Sequence, residues 1–396
     1  MKNNWPTKKL GECLVQFDRG ISWSRKDEGG TIAVLRIPNI EEGRINLDDL
    51  KYISTKNGNG ELDKNDIVMV ASNGNPDLVG RSALVAEKEE GMRFASFLVR
   101  LRLEDTKLLP HYAHLFLLTP VFKRELRRKI ATTSGIYNLR KEHIEKIKIS
   151  LPPLKIQKQI VERMDKIAEA QRLNDELIQK ADELFQSLLH KELDPSGKNW
   201  EIKKLENLIE NIKIGPFGSA LKIAELSESG PVRVLFIENV VNNKFEFAKE
   251  KFISEEKYKE LEVYTVKTDD ILVTMMGTIG RTCITPKEIG KSIISSHLIK
   301  ISPNKKVTTA EFLNFSLHNP YVTDQIRRKA KGAIMKGLNS KILRNLDIPL
   351  PALEIQKQIV EKLSAAQKYK KQLLARKSKL KELFDSVLHK SMILRR

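Results

Sequence analysis

Few residues of this 396-residue chain stand at spacings that could support catalysis. Gly290-Lys291-Ser292 has the last three residues of a phosphate-binding loop, but Thr285 occupies the place five positions before Gly290 where that loop requires glycine. No Gly-x-Gly-x-x-Gly opens a strand-to-helix unit, so neither a dinucleotide nor S-adenosylmethionine has a cradle. Asn75-Pro76-Asp77 and Asn319-Pro320-Tyr321 hold part of the Asn/Asp-Pro-Pro-aromatic motif of amino-methyltransferases; each contains a single proline and reads as a turn. Pro76-Asp77 has no acid-x-Lys downstream at nuclease spacing. None of the seven histidines adjoins a serine or cysteine nucleophile motif, and His190 and His389 fall at helix ends, where a cation near the last carbonyls is the ordinary role. Cys13 and Cys283 lie in different halves without Cys or His partners at ligand spacing, which predicts a reduced, cytoplasmic protein without structural zinc. No cofactor, metal or catalytic residue is expected. The chemistry left to the chain is charge and hydrogen bonding.

Charge is abundant. The 70 Lys and Arg residues against 51 Asp and Glu give a formal net charge of +19 and a pI near 9.6. Such an excess favours a polyanionic partner, because neutralised phosphates release condensed counterions. Hydrophobic residues make up 40% of the sequence, the composition of an ordinary globular protein. The opening Met-Lys-Asn-Asn-Trp-Pro-Thr-Lys-Lys has no apolar run and no 18-residue apolar span follows, so neither a signal peptide nor a membrane helix is expected.

These groups must be positioned by a duplicated architecture. Leu151-Pro152-Pro153-Leu154-Lys155-Ile156-Gln157-Lys158-Gln159-Ile160-Val161-Glu162 returns as Leu350-Pro351-Ala352-Leu353-Glu354-Ile355-Gln356-Lys357-Gln358-Ile359-Val360-Glu361, an offset of 199 residues. The same offset carries Glu183-Leu184-Phe185-x-Ser187-x-Leu189-His190-Lys191 onto Glu382-Leu383-Phe384-x-Ser386-x-Leu388-His389-Lys390. Between these ends neither copy contains Gly or Pro. Apolar residues fall 4 and 3 apart at Ile160, Met164, Ile167, Ile178, Ala181, Phe185 and Leu188, with Gln171 and Asn174 in the central slots. That is a heptad seam. The second copy fills the slots with Ile359, Leu363, Ala366, Leu373, Leu380, Phe384 and Val387, and turns polar at Lys370 and Lys377. At about 1.5 Å per residue each helix is roughly 55 Å long, too long to bury itself in a small domain. The two are expected to pack as an antiparallel coiled coil.

The duplication extends beyond the helices. Val34-Leu35-x-Ile37-x-Asn39-Ile40 matches Val234-Leu235-x-Ile237-x-Asn239-Val240, and Asp66-Ile67-Val68-Met69-Val70 matches Asp270-Ile271-Leu272-Val273-Thr274. Ser96-Phe97-Leu98-Val99 likewise matches Ser296-His297-Leu298-Ile299. The predicted order is a globular part over residues 1–150, a helix over 151–193, a polar linker over 194–199, a second globular part over 200–349 and a second helix over 350–396. Each globular part reads as an α+β domain. Short β-branched runs bounded by Gly, Asn and Asp make a mixed or antiparallel sheet, one helical stretch follows near 111–130 or 309–330, and a last strand covers 146–149 or 346–348. The loops differ where the frame agrees: Arg19 to Lys26 faces Lys213 to Lys222, and the turn from Ser72 to Asp77 is longer than its counterpart from Met276 to Ile279. Two readers of two targets would show this pattern, and so would drift after an old duplication.

In this arrangement the chain resembles the specificity subunit of type I restriction-modification enzymes. The resemblance rests on Leu-Pro-x-Leu-x-Ile-Gln-x-Gln-Ile-Val at 151 and 350 and on Leu-Phe-x-Ser-x-Leu at 184 and 383, and it covers essentially the whole chain. It implies a non-catalytic protein with two target recognition domains alternating with two conserved helical regions. It further implies that the helices pack antiparallel, separate the domains and bind two DNA adenine methyltransferase subunits, which motor-nuclease subunits join. An antiparallel helix pair carrying a domain at each end would impose approximate two-fold symmetry. The expected target is therefore double-stranded DNA with two unlike half-sites and an unread spacer whose length the helices set.

Partner contact is expected at the repeated helix starts, through Pro152, Ile156, Gln159 and Ile160 and through Pro351, Ile355, Gln358 and Ile359, although proline alone is simply favoured there. For DNA, Arg127-Arg128-Lys129 and Arg327-Arg328-Lys329 end helices near the loops and suit phosphates; a solvated helix face would carry the same charges. Arg25, Arg36, Ser72, Asn73, Asn75 and Arg81 in the first part, and Lys213, Lys222, Thr278, Arg281, Lys331, Lys336 and Asn339 in the second, are turn or strand-end donors within reach of bases or backbone. Tyr137 and Asn138 precede the last strand as Leu338 and Asn339 do, and are expected on the same surface. The rival reading is a free-standing DNA-binding regulator, against which the duplicated partner face argues.

Overall fold

The structure is a computed structural model that describes residues 5–41, 43–54, 60–130, 135–217, 220–241, 243–248, 250–276, 279–331 and 338–392. It divides into two compact units, residues 1–175 with 375–396 and residues 176–374. Each long helix therefore contributes a segment to both.

In the first unit, a four-stranded antiparallel sheet runs in the order Leu14–Arg19, Leu98–Leu103, Ile67–Val70, Ser82–Leu84. Ile67–Val70 is buried at all four positions, which is why it reads as an unbroken apolar run. A second sheet sets Glu28–Leu35 between Lys51–Ile53, antiparallel to it, and Arg93–Phe94, parallel to it. Thr7–Lys9 pairs with Lys148–Ser150, so the two ends of the globular part meet. Where the sequence predicts one helix near 111–130, two are found, Pro110–Leu117 and Pro120–Lys129. Pro120 has no N–H to continue the ladder, and the Thr119 hydroxyl caps the second helix by accepting from the Phe122 amide at 3.2 Å. Tyr112, Phe116, Phe122 and Leu126 from these helices share one core with Ile67, Met69, Val99 and Leu101 of the sheet. Ile160, Met164 and Ile167 of one long helix and Leu388 and Met392 of the other complete it.

The second unit repeats the plan. Its antiparallel sheet runs Ile209–Ile214, Leu298–Pro303, Ile271–Thr274, Thr282–Ile284, and its second sheet runs Lys251–Ile253, Val232–Leu235, Ser292–Ile294, Thr265–Val266. Glu201–Lys204 pairs with Asp347–Leu350 as the closing ladder. The helical stretch is again broken at a proline, into Ala310–His318 and Pro320–Lys331.

Leu154–Leu193 and Leu353–Met392 are uninterrupted helices of 40 residues each, and they run antiparallel within each unit. In the first unit Gln171 Nε2 donates to the Leu380 carbonyl at 3.3 Å, and Asp175 pairs with Lys377 at 2.9 Å. In the second, Asp182 pairs with Lys370, and Glu192 with Lys362 at 3.1 Å. The polar slots of the seam thus hold cross-helix contacts, while Leu189, Leu193, Ile359 and Leu363 pack with Phe312 and Phe315.

The repeated helix-start motif has a structural cause. Gln157 is fully buried; its Nε2 donates to the Lys107 and Pro152 carbonyls at 3.0 and 2.9 Å, and its Oε1 accepts from the Leu109 amide at 2.9 Å. Gln356 Nε2 donates in the same way to Val307 and Pro351, at 3.0 and 2.9 Å. The glutamine fastens each long helix to the loop that leads into its domain's helices.

Candidate nucleic-acid interface

At one end of the first unit's four-stranded sheet, Ser72–Asn73 pairs antiparallel with Tyr137–Asn138, a two-residue ladder where the sequence reads a turn. The Ser72 hydroxyl accepts from Arg19 Nη1 at 3.1 Å and donates to Asn138 Oδ1. Ser72 is buried, so it positions its neighbours. Asn73 Oδ1 accepts from the Asn75 amide at 2.8 Å and Asn75 Oδ1 from the Asp77 amide at 2.9 Å, which shapes the turn.

The helix Pro120–Lys129 lies beside this turn, with Arg127 paired to Asp77 at 2.7 Å. Arg81, Lys123, Arg124 and Arg127 line a cleft of about 650 Å³ together with Val79, Phe122 and Leu126. Sequence reading takes only the run at 127–129 and misses Lys123 and Arg124. The signal was available, since residues three and four before Arg127 share its helix face. Arg128 pairs with Glu125 at 3.4 Å, and Lys129 is half-buried. Arg25 is exposed in the turn Arg25–Asp27. Arg36 is held internally, by the Asp49 carboxylate at 2.7 Å and its carbonyl at 2.8 Å.

In the second unit Arg327 pairs with Asp324 at 2.8 Å, Arg328 Nε donates to the Asp324 carbonyl at 3.2 Å, and Lys329 Nζ reaches the Asn345 carbonyl at 2.7 Å. Thr323 and Asp324 stand where the first unit has Lys123 and Arg124, so equivalent helix faces differ in charge. Lys213 Nζ sits 5.5 Å from the Tyr264 ring, and Lys222 is exposed. The Arg281 amide donates to Thr274 Oγ1 at 3.1 Å. Asn339 caps Ser340–Arg344 by accepting from the Ile342 amide at 2.9 Å. Lys331 is the last residue of its helix, and Thr278 and Lys336 lie outside the described residues.

At the helix starts, Pro152, Ile160, Pro351 and Ile359 are buried within their own units, Ile156 is half-buried, and Gln159, Ile355 and Gln358 are exposed. Of these eight positions, the exposed three and Ile156 are the ones that another protein can reach.

Behind these surfaces lie groups held neutral by burial. Desolvation brings His114, whose Nε2 is 3.3 Å from the Ser82 carbonyl, down to about 4, and His318, 2.9 Å from Thr282 Oγ1, to about 4 as well. Burial pushes the Cys283 thiol up to about 12. Among the described residues there is no cluster of His, Cys, Asp or Glu able to hold a metal, and no helix long and apolar enough to cross a membrane.

The fold is a basic α+β domain built twice, with hydrogen-bonding loops at its sheet ends. The type I restriction modification DNA specificity domain matches twice, over residues 2–183 and 197–382, and the chain belongs to that family. The MjaVIII specificity subunit of a type I restriction enzyme from Methanocaldococcus jannaschii is 24% identical over 372 residues, 86% of this chain and 80% of the relative. A chain from a structure concerned with assembly and conformational transition of the type I R-M system matches with a TM-score of 0.66 at 16% identity, covering 98% of this chain and 97% of that one. The S subunit of a type I restriction-modification system from M. genitalium gives 0.59 at 15% identity, with 100% and 98% covered. Both structural likenesses are likenesses of fold.

Proposed function

We propose that the chain selects the DNA target of a type I restriction-modification complex by reading a bipartite, asymmetric site, one half with each globular unit. On this reading the helices carry two copies of an adenine methyltransferase subunit, and motor-nuclease subunits join through them. The carrying observation is a repeated frame with unlike reading surfaces: the same closing ladder, sheet and helix pair, but Lys123 and Arg124 in one unit against Thr323 and Asp324 in the other. The repeated helix starts, with Gln159 and Gln358 outward at matching positions, support two copies of one partner. The chain supplies positioning and recognition, and chemistry on the base falls to the partner.

Titration of the full chain with its methyltransferase subunits against duplexes carrying both half-sites, or either alone, tests this. Tight binding should require both halves at one spacing and weaken steeply with salt, because phosphate contacts release counterions. Full-affinity binding to a single half-site, or full-affinity and sequence-selective binding without any methyltransferase partner, would point instead to a free-standing regulator.

A further inference from the structure

Each unit carries a tight turn at the end of its four-stranded sheet, and the two turns differ at one projecting position. Residues 95–98 close with the Leu98 amide on the Ala95 carbonyl at 2.8 Å, and residues 295–298 with the Leu298 amide on the Ser295 carbonyl at 3.2 Å. The first turn is locked from several sides. The Phe97 carbonyl accepts from the Ala71 and Ser72 amides at 2.8 and 3.3 Å, and the Ser96 carbonyl accepts from Arg19 Nη1 at 3.3 Å. Gly20 crosses so closely that an added Cβ would stand 2.0 Å from the Phe94 carbonyl oxygen. The second turn is held in the same way: the His297 carbonyl accepts from the Met275 amide at 3.0 Å, and a Cβ on Gly215 would stand 1.9 Å from the Ser295 carbonyl oxygen.

On this fixed backbone Phe97 leaves 58% of its surface in solvent. A single exposed hydrophobic residue is ordinary. What separates this one is its register partner, the exposed His297, because Ser96 and Ser296 on one side and Leu98 and Leu298 on the other keep the turn the same. The frame is constant and the projecting side chain is not. The turn's backbone is tied to the Ser72 amide and the Arg19 guanidinium, and Arg19 and Asn138 both bond the Ser72 hydroxyl, so the turn adjoins the ladder between Ser72–Asn73 and Tyr137–Asn138. A ring projected from backbone that is already ordered loses little further entropy on contact.

We infer that Phe97 and His297 are specificity-determining residues, one for each half-site. The Phe97 ring takes the 5-methyl group of a thymine in the major groove, where that methyl is the distinctive apolar feature of a base edge, and a His297 ring N–H donates to a purine N7 or O6. This rests on the two-reader assignment above.

The test uses the full chain with its methyltransferase subunits and the duplex it methylates, with target thymines replaced one at a time by deoxyuridine. Wild-type binding should weaken at one position of the first half-site by about fourfold, the value of one buried methyl group. Phe97→Ala should bind the thymine and uracil duplexes equally, with an unchanged melting temperature because the ring is exposed. His297→Ala should relax one position of the second half-site and leave the first intact. The inference is overturned if no position of the first half-site responds to uracil in the wild type, if discrimination persists in Phe97→Ala, or if His297→Ala leaves the motif unchanged. A wild-type complex without bipartite specificity would instead sink the two-reader assignment itself.

Discussion

A guanidinium that serves a phosphate must be able to leave its partner in the free protein. The Arg127–Asp77 pair is exposed on both sides, and such pairs are worth about 0.2–1 kcal/mol, so a phosphate can displace the aspartate at little cost. Arg127→Ala and Arg124→Ala should each weaken binding to all duplexes alike and lower the salt slope by about 1, measured by titration over a range of salt. Arg36 differs, because Asp49 holds it through two contacts. Its loss should appear in stability before it appears in binding. The buried His114 and the half-buried His318 set a pH limit. His114 and His318 are held to about 4 against an ordinary 6.5, so the unfolded chain takes up protons first as the pH falls. Their contribution is complete above about 6.5 and is lost between there and about 4, up to about 3 kcal/mol for each. Denaturant melts across that range should show the loss, and His114→Gln should flatten it for the first unit.

At the scale of elements, the long helices and the duplication were legible because their signals are local and periodic: a 3-4 spacing sustained over 40 residues with no Gly or Pro inside. Other features were hidden because they depend on distant partners. Gln157 looks like any polar helix residue until its contacts with Lys107 and Leu109, 50 and 48 residues away, are formed. The ladder between Ser72–Asn73 and Tyr137–Asn138 has four polar or half-polar residues and no alternation to announce a strand. The helix break at Pro120 was readable in principle, since Thr119 is a capping residue directly before a proline. Gln157→Leu should cost about 1–3 kcal/mol, because the buried Pro152 carbonyl loses its donor, and the more exposed Lys107 carbonyl and Leu109 amide lose theirs with it. Chemical denaturation measures it, and an unchanged midpoint would mean that the motif is kept for a partner and not for the fold.

At the scale of the molecule, a net charge of +19 supplies affinity for any duplex, and selectivity has to come from the unlike surfaces of the two units. On the proposed reading, two readers in one chain give an asymmetric target, whereas a symmetric dimer of one reader would give a palindrome. Exchange of residues 1–150 for the corresponding part of a relative should therefore change one half of the target and leave the other. The most direct measurement is a genome-wide map of N6-methyladenine by single-molecule sequencing, in cells expressing the methyltransferase subunit with and without this chain. Methylation at a two-part asymmetric motif that appears only when the chain is present, with one half altered by the exchange, is the predicted result. Methylation unchanged by the chain, or an exchange that alters both halves together, would contradict the assignment of one half-site to each unit.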